Sequence, residues 1–124
     1  MTQQTAGDAP LGAYRAANIV QVGDRKFIYL SGATSGEEFP NDIAAQTRII
    51  FMKFQALLAN EGGGLESLVK INAYLVDIRE YPAYNQVRNH LMGGLAVPPA
   101  SATVGGAQLL RPGARIEIDG IAVI

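Results

Sequence analysis

The chain lacks cysteine and tryptophan, and a single histidine stands among its 124 residues. Without cysteine it can form no disulfide, no thiolate nucleophile and no thiolate-bound metal site. No apolar run approaches the roughly 18 residues that a transmembrane helix needs. Residues 1–10 are polar and have none of the apolar character of a secretory signal. We therefore expect a cytoplasmic protein that does not bind membranes.

Charge of either sign is also scarce. Charged residues make up 17% of the chain and the formal net charge is −1, so nothing in the composition favours a nucleic-acid partner. Hydrophobic residues make up 48%, which is typical of a globular protein with a buried core. The length predicts one domain. We place that domain at residues 11–124, after a flexible leader at residues 1–10.

Periodicity and turn residues predict the element order β-β-α-β-α-β-β. The predicted strands are residues 15–22, 26–31, 68–76, 101–107 and 115–124, and the second helix is residues 82–92. Gly23 and Asp24 predict a hairpin turn, and residues 36–40 read as a loop. Asn41 or Asp42 is expected to cap the first helix, which the glycines at 62–64 end.

Apolar spacing indicates how these elements pack. The first helix presents one face at three- and four-residue steps: Ile43, Thr47, Ile50, Phe54 and Leu57. In the strand at 68–76, residues 69, 71, 73 and 75 alternate with Lys70, Asn72 and Tyr74. The last strand is apolar or small on both sides, as in a central strand. These patterns predict a mixed sheet of about five strands with two helices on one face, and a homo-oligomer that covers the other face.

Five sequence blocks, in order, resemble one known family. They are residues 11–14 (LGAY), 30–32 (LSG), 42–48 (DIAAQTR), 69–87 (VKINAYLVDIREYPAYNQV) and 116–123 (IEIDGIAV). Over about residues 10–124 the chain resembles the Rid (reactive intermediate deaminase, RidA/YjgF) superfamily. The resemblance implies an α+β, chorismate-mutase-like fold and a homotrimer with clefts between its subunits. It also implies hydrolysis of small 2-imino or 2-enamino acids without a cofactor or metal.

Several site residues follow from this resemblance. Asp119 corresponds to a carboxylate that orients the attacking water, unless it is an exposed strand residue paired with Arg115 or Lys70. Tyr14 and Ser31 correspond to residues that line the substrate pocket, and Asn85 to an asparagine of the second helix. Each has a structural alternative, which is a core aromatic for Tyr14, a turn contact for Ser31 and a backbone contact for Asn85.

The chain departs from the family at the residue that grips the substrate carboxylate. Where the family has an arginine after Pro-Ala, this chain has Ser101, whose hydroxyl cannot form a bidentate, charge-assisted clamp. Thr103 stands where archetypal members often have cysteine, and Gly105 follows on the same side. These small residues predict either an enlarged, uncharged substrate pocket or a distorted strand.

Three arginines are candidates to replace the missing cation. They are Arg15, which is next to Tyr14, Arg111, which lies in a turn, and Arg115, which begins the last strand. Two functions remain open at this point. One is a cofactor-free imine or enamine hydrolase with a non-archetypal substrate, and the other is a trimer that binds a small molecule without catalysis.

Overall fold

A computed structural model describes the backbone of residues 2–6 and all of residues 12–36 and 40–124. Parts of the predicted leader, Leu11 and part of the predicted loop at 36–40 lie outside the described residues. The strands are β1 (Thr2–Ala6), β2 (Ala17–Val22), β3 (Arg25–Ala33), β4 (Leu68–Leu75), β5 (Ala100–Val104) and β6 (Ile116–Val123), and the helices are α1 (Ile43–Ala59) and α2 (Tyr81–Met92).

The strands form one mixed sheet in the order β1-β2-β3-β6-β4-β5. Only the β4–β5 pair is parallel, since the other neighbours run antiparallel. The last strand, β6, lies between β3 and β4, which confirms the prediction of a central strand. β5 is an edge strand, paired on one side to β4 alone within the described chain. The α+β class and the mixed sheet are therefore confirmed.

β1 enlarges the sheet from about five predicted strands to six. It lies inside the segment predicted as a leader and pairs antiparallel with β2, with Gln4 opposite Ile19. The pairing joins backbone amides and carbonyls, so an edge strand needs no apolar pattern of its own. This is why the polar residues 2–6 carried no strand signal.

β2 and β3 form the predicted hairpin through Gly23 and Asp24. Gly23 has a φ of 60°, a left-handed conformation that suits glycine in a tight turn. β2 begins at Ala17 rather than at residue 15, because residues 12–16 are irregular, with bends at Gly12, Ala13 and Ala16. This later start matters for the site, since the alternation of a strand does not apply to Tyr14 and Arg15.

Asp42 caps α1, which decides between the two predicted capping residues. Its Oδ1 accepts a hydrogen bond from the Ala44 amide at 2.9 Å. The buried face of the helix is wider than predicted and includes Gln46, Phe51 and Leu58. Beyond the C-terminal end, Gly62 has a φ of 91° and the Gly63 amide donates to the Leu58 carbonyl. The glycines therefore end the helix as expected.

The core lies between the helices and one face of the sheet. Its buried members include Phe51 and Phe54 of α1, Tyr84 of α2, and Ile71, Leu75, Ile116 and Ile118 of the sheet. The opposite sheet face, here called the outer face, carries Tyr29, Asn72, Tyr74, Glu117, Asp119 and Ile121, all exposed or partly exposed. The two helices thus cover the same face, as predicted.

Two strands differ from their predicted patterns. Val69 was expected to be buried with Ile71, but it is 48% exposed because the β4–β6 register shifts between Leu68 and Lys70. Leu68 occupies the buried position instead. β5 ends at Val104 rather than residue 107, since Gly106 adopts a left-handed φ of 71° that interrupts the strand.

Candidate functional site

A surface cavity of about 390 Å³ lies beside the start of the β2–β3 hairpin. Tyr14, Arg15 and Ser31 line it together with Ala13, Asn18, Tyr29 and Leu30. Two of the residues assigned from the resemblance, Tyr14 and Ser31, are therefore brought together. Tyr14 is 52% exposed, so it belongs to this surface and not to the core.

Ser31 holds the loop that carries Tyr14. Its hydroxyl donates to the Arg15 carbonyl, and its amide donates to the Ala16 carbonyl at 3.0 Å. The serine thereby supports the wall of the cavity through the backbone. Arg15 lines the cavity together with Tyr14, because both residues lie in the irregular segment that precedes β2.

Asp119 lies on the outer face in a hydrogen-bonded network. Its Oδ1 accepts from the Asn72 side-chain amide at 2.8 Å, and its Oδ2 accepts from the Tyr74 hydroxyl at 3.2 Å. Burial raises the pKa of Tyr74, and the charge and hydrogen bond of Asp119 raise it further. Tyr74 therefore remains a protonated donor at neutral pH. Neither Arg115 nor Lys70 hydrogen-bonds to Asp119, unlike the structural alternative predicted from the sequence.

Glu117 is a second carboxylate on the outer face, two residues before Asp119 on β6. It is half-buried and makes no hydrogen bond or ion pair with residues 12–36 or 40–124. Its side chain lies over Gly32, where an added Cβ would come within 2.6 Å of the carboxylate oxygen. The glycine after Ser31 therefore leaves the space that Glu117 occupies. Within the described part of the chain, both oxygens of this carboxylate remain available to a water molecule or ligand.

A cluster around Arg88 lies on the helix side of β5, and we call Tyr81, Tyr84, Asn85, Arg88 and Ser101 the Arg88 cluster. The guanidinium donates to Ser101 Oγ at 3.0 Å, to the Tyr81 hydroxyl at 2.8 Å and to Asn85 Oδ1 at 2.6 Å. Its Cζ atom lies 5.0 Å from the Tyr84 ring centroid and 5.7 Å from that of Tyr81. These contacts hold a half-buried cation against Ser101, the residue that replaces the family's arginine.

The Tyr84 hydroxyl lies at the base of the cluster. Tyr84 is 0% exposed, and burial raises its pKa, while the nearby charge of Arg88 and the hydroxyl of Ser101 oppose that rise. Arg88 and Ser101 lie close enough to lower this pKa through hydrogen bonding, but neither contact with the hydroxyl has the geometry of a well-formed hydrogen bond, and no other described residue provides one. Buried polar groups are nearly always hydrogen-bonded, so an exception of this kind needs an explanation.

The three arginines proposed from the sequence have other positions. Arg115 is engaged, since it forms a 2.7 Å ion pair with Glu80 and donates to Asn41. Arg15 lines the hairpin cavity, and Arg111 lies in the turn before β6. None of them hydrogen-bonds to Ser101, whereas Arg88 does. The cation next to Ser101 is therefore one that the sequence reasoning did not consider.

Thr103 and Gly105 follow Ser101 toward the end of β5. Thr103 is half-buried and opposite Ala73 of β4. At Gly105 an added Cβ would come within 2.3 Å of Ile78 Cβ. The space left by Gly105 is therefore filled by Ile78, which favours the structural explanation of this glycine over an enlarged pocket.

Within one chain the predicted residues do not form a single cleft. In the β4–β5 register Ser101 is opposite Ile71, on the helix side, while Asp119 is opposite Asn72 on the outer face. The hairpin cavity lies on the other side of β6 from β5. The Arg88 cluster can therefore lie next to an outer face only in an oligomer, where that face belongs to another copy of the chain.

Arg88 and Glu117 were missed for identifiable reasons. Arg88 is three residues after Asn85, so helix geometry alone places the two side chains on one face. Its contact with Ser101 depends on how α2 packs against the parallel strand β5, which no local pattern shows. Glu117 has the same alternation as Asp119 on β6, a signal that could have identified it.

The fold is that of an α+β protein whose polar groups gather at the margins and outer face of a mixed sheet. Residues 6–124 match the sequence profile of the family described as endoribonuclease L-PSP. The chain belongs to this family, and thus to the Rid/YjgF superfamily indicated by its sequence blocks.

Named relatives are similar over most of the chain. A 2-iminobutanoate/2-iminopropanoate deaminase from Dermatophagoides farinae is 32% identical over 93% of this chain and 88% of its own. The 3-aminoacrylate deaminase RutC of Acinetobacter baylyi is 32% identical over 77% of each chain. A solved structure of a YjgF/YER057c/UK114 family member from Mycobacterium tuberculosis superposes with a TM-score of 0.84, at 23% identity, over 99% of this chain and 100% of its own.

The described part of the chain contains neither a metal-binding cluster nor a membrane-spanning helix. Residues 12–36 and 40–124 contain no group of three or more His, Cys, Asp or Glu side chains placed to hold a metal ion. Neither α1 nor α2 is both long and apolar enough to cross a membrane.

Proposed function

We propose that the protein is a deaminase that hydrolyses the C=N bond of a small imine, or of the imine tautomer of an enamine. Water adds to the imine carbon, a proton goes to nitrogen, and the resulting carbinolamine expels ammonia to leave a carbonyl compound. The reaction needs only positioned acid–base groups, so we propose that it proceeds without a cofactor. The family match and the deaminase relatives support this reaction class.

The observation that carries the proposal is the carboxylate of Glu117, which lies beside the Asp119 network and has no hydrogen-bond or ion-pair partner among residues 12–36 and 40–124. A carboxylate with available oxygens can accept a hydrogen bond from water and then its proton. We propose that Glu117 holds the attacking water. The resemblance assigns the water-orienting role to Asp119. We propose instead that Asp119, which accepts hydrogen bonds from Asn72 and Tyr74, has a structural role beside Glu117.

We expect short 2-imino acids to be poor substrates. Ser101 cannot form the bidentate clamp of the family's arginine. Arg88 donates to Ser101 from the helix side of β5, so a short substrate whose carboxylate binds there has its C=N bond in a different place from a relative with the arginine. The panel of substrates to be compared contains 2-iminopropanoate, 2-iminobutanoate and 2-imino acids with longer side chains. Each is generated in the assay mixture from the corresponding amino acid. The measurement is the rate of 2-oxo acid formation above the uncatalysed rate. Turnover of the two short substrates that matches a relative with the family's arginine would contradict this expectation.

We further propose that the active unit is a homotrimer. The outer face carries Tyr29 and Ile121 with no element of the same chain described over it, and β5 leaves one edge unpaired. Apolar surface of this kind commonly marks a contact with another chain. Light scattering coupled to size exclusion should give about three times the 13.2 kDa chain mass. A stable monomer at micromolar concentration would contradict the trimer and any site between subunits.

The second candidate function is a trimer that binds a small molecule without catalysis. The replacement of the family's arginine by Ser101 is the observation that favours it. A protein that binds 2-oxo acids but accelerates the hydrolysis of no imine in the panel would support this function over the deaminase.

A further inference from the structure

Arg88 carries a charge that no carboxylate neutralises in the described part of the chain. The ion pairs found there use Lys26, Arg79 and Arg115. Arg88 is half-buried between α2 and β5, where losing contact with water is costly for a charge unless it gains a partner. Its hydrogen-bond acceptors are the neutral oxygens of Ser101, Tyr81 and Asn85.

The guanidinium is also held in one orientation. Contacts with the two tyrosine rings and three hydrogen bonds restrict a side chain that is otherwise flexible. Of the five N–H groups that a guanidinium has, three are used by these bonds. No carboxylate among the described residues accepts from the others. A planar, oriented cation with donors in reserve is suited to a carboxylate ligand.

Tyr84 supplies a second and independent sign of a ligand. Its hydroxyl is fully buried beneath the guanidinium, close to Arg88 and Ser101, and unsatisfied. Unsatisfied buried donors are rare in native proteins, and a bound water, ion or ligand is one explanation of them. The donor and the unpaired cation meet in the same cluster.

We propose that the Arg88 cluster binds the carboxylate of the protein's ligand, with Arg88 as the residue that grips it and Ser101 as a neutral hydrogen-bond partner. The identification of that ligand as an imino or enamino acid rests on the proposed function. The carboxylate-binding site itself does not, because it follows from the unpaired cation and the unsatisfied donor.

The first test measures binding of a stable carboxylate to the full chain. Isothermal titration with 2-oxobutanoate is compared with its methyl ester, which has the same carbon chain without the charge. We expect the wild type to bind the acid and not the ester. Arg88→Met should weaken acid binding by at least about tenfold, because charge-assisted hydrogen bonds are lost. Arg88→Lys should also weaken it, since lysine cannot bind bidentately.

A matched control removes an arginine elsewhere. Arg48 is an exposed residue on α1, so Arg48→Met makes the same change of charge away from the cluster and should leave the affinity unchanged. Circular dichroism shows whether each variant folds. An equal loss of affinity in Arg48→Met and Arg88→Met would overturn the proposal, because it would indicate a general effect of charge.

The second measurement follows ligand binding to the wild type by NMR. The variant Arg88→Lys is used only to assign the resonance. The Arg88 Nε–H resonance of the wild type, assigned by its absence in Arg88→Lys, should move when 2-oxobutanoate is added and stay in place with the ester. Binding of the acid without movement of this resonance would show that the carboxylate is held elsewhere. Failure of the acid to bind at all would equally overturn the proposal.

The two proposals fail in different ways. If 2-oxobutanoate binds through Arg88 but no imine is hydrolysed, the carboxylate site stands and the deaminase function fails. If imines are hydrolysed and Arg88→Lys and Arg88→Met leave KM unchanged, the deaminase function stands and the carboxylate site fails.

Discussion

Glu117→Gln is expected to lower kcat for imine hydrolysis by about 10²–10⁴-fold, the contribution typical of a positioned general base. The substitution keeps the size of the side chain and removes its ability to take a proton from water. Because Glu117 makes no hydrogen bond or ion pair in the described chain, few structural contacts are lost with it. The measurement is kcat and KM for the fastest imine of the panel, with folding checked by circular dichroism.

Asp119→Asn is the matched comparison on the same strand and face. An asparagine can keep both network bonds, with its oxygen accepting from Asn72 and its amide donating to the Tyr74 oxygen. We therefore expect a loss below about tenfold, since the support of the site is largely preserved. The opposite order, a large loss in Asp119→Asn and a small loss in Glu117→Gln, would return the water-orienting role to Asp119, as the sequence resemblance implies.

Gln46→Met is expected to lower the free energy of unfolding by about 2–4 kcal/mol, because it leaves buried polar groups without partners. Gln46 is 0% exposed. Its amide nitrogen donates to the Pro40 carbonyl at 2.9 Å and to the Gly113 carbonyl at 3.0 Å, and its oxygen accepts from the Arg115 amide at 2.9 Å. One side chain thus joins α1 to the loop before it and to the turn that starts β6.

The measurement for Gln46→Met is urea unfolding at a fixed protein concentration, since assembly makes apparent stability depend on concentration. Gln86→Met provides the control, because Gln86 is exposed on α2 and a surface change of this kind costs at most about 0.5 kcal/mol. Equal stabilities for the two variants would show that the three bonds of Gln46 contribute little.

Much of the fold could be predicted because its signals are local. The spacing of Ile43, Ile50 and Phe54 set the direction of α1, and the alternation of Asn72 and Tyr74 separated the two faces of β4. Glycines marked the hairpin turn and the end of α1, where left-handed backbone conformations were required. The resemblance added the family, which the comparisons confirmed.

Local signals failed where another part of the chain decided the outcome. The exposure of Val69 depends on a register shift against β6, and β1 depends on the free edge of β2. Neither can be read from the segment concerned, because periodicity carries no information about a neighbouring strand. For Gly105 the sequence left an enlarged pocket and a distorted strand open, and only the tertiary structure shows that Ile78 fills the space beside it.

The candidate site was also predicted only where its signals are local in the sequence, and the rest depended on contacts between distant segments. The sequence by itself determined that a serine stands at position 101, offered Arg15, Arg111 and Arg115 as candidates to replace the missing cation, and brought Tyr14 and Ser31 into one proposal. Only the tertiary structure selected Arg88, because Arg88 on α2 and Ser101 on β5, which are 13 residues apart in the sequence, meet through a hydrogen bond. Likewise, only tertiary contacts distinguish Asp119, held by Asn72 and Tyr74, from the unpaired Glu117. Hydrogen bonds between distant segments form when the core packs, so the partners of a polar side chain are decided there.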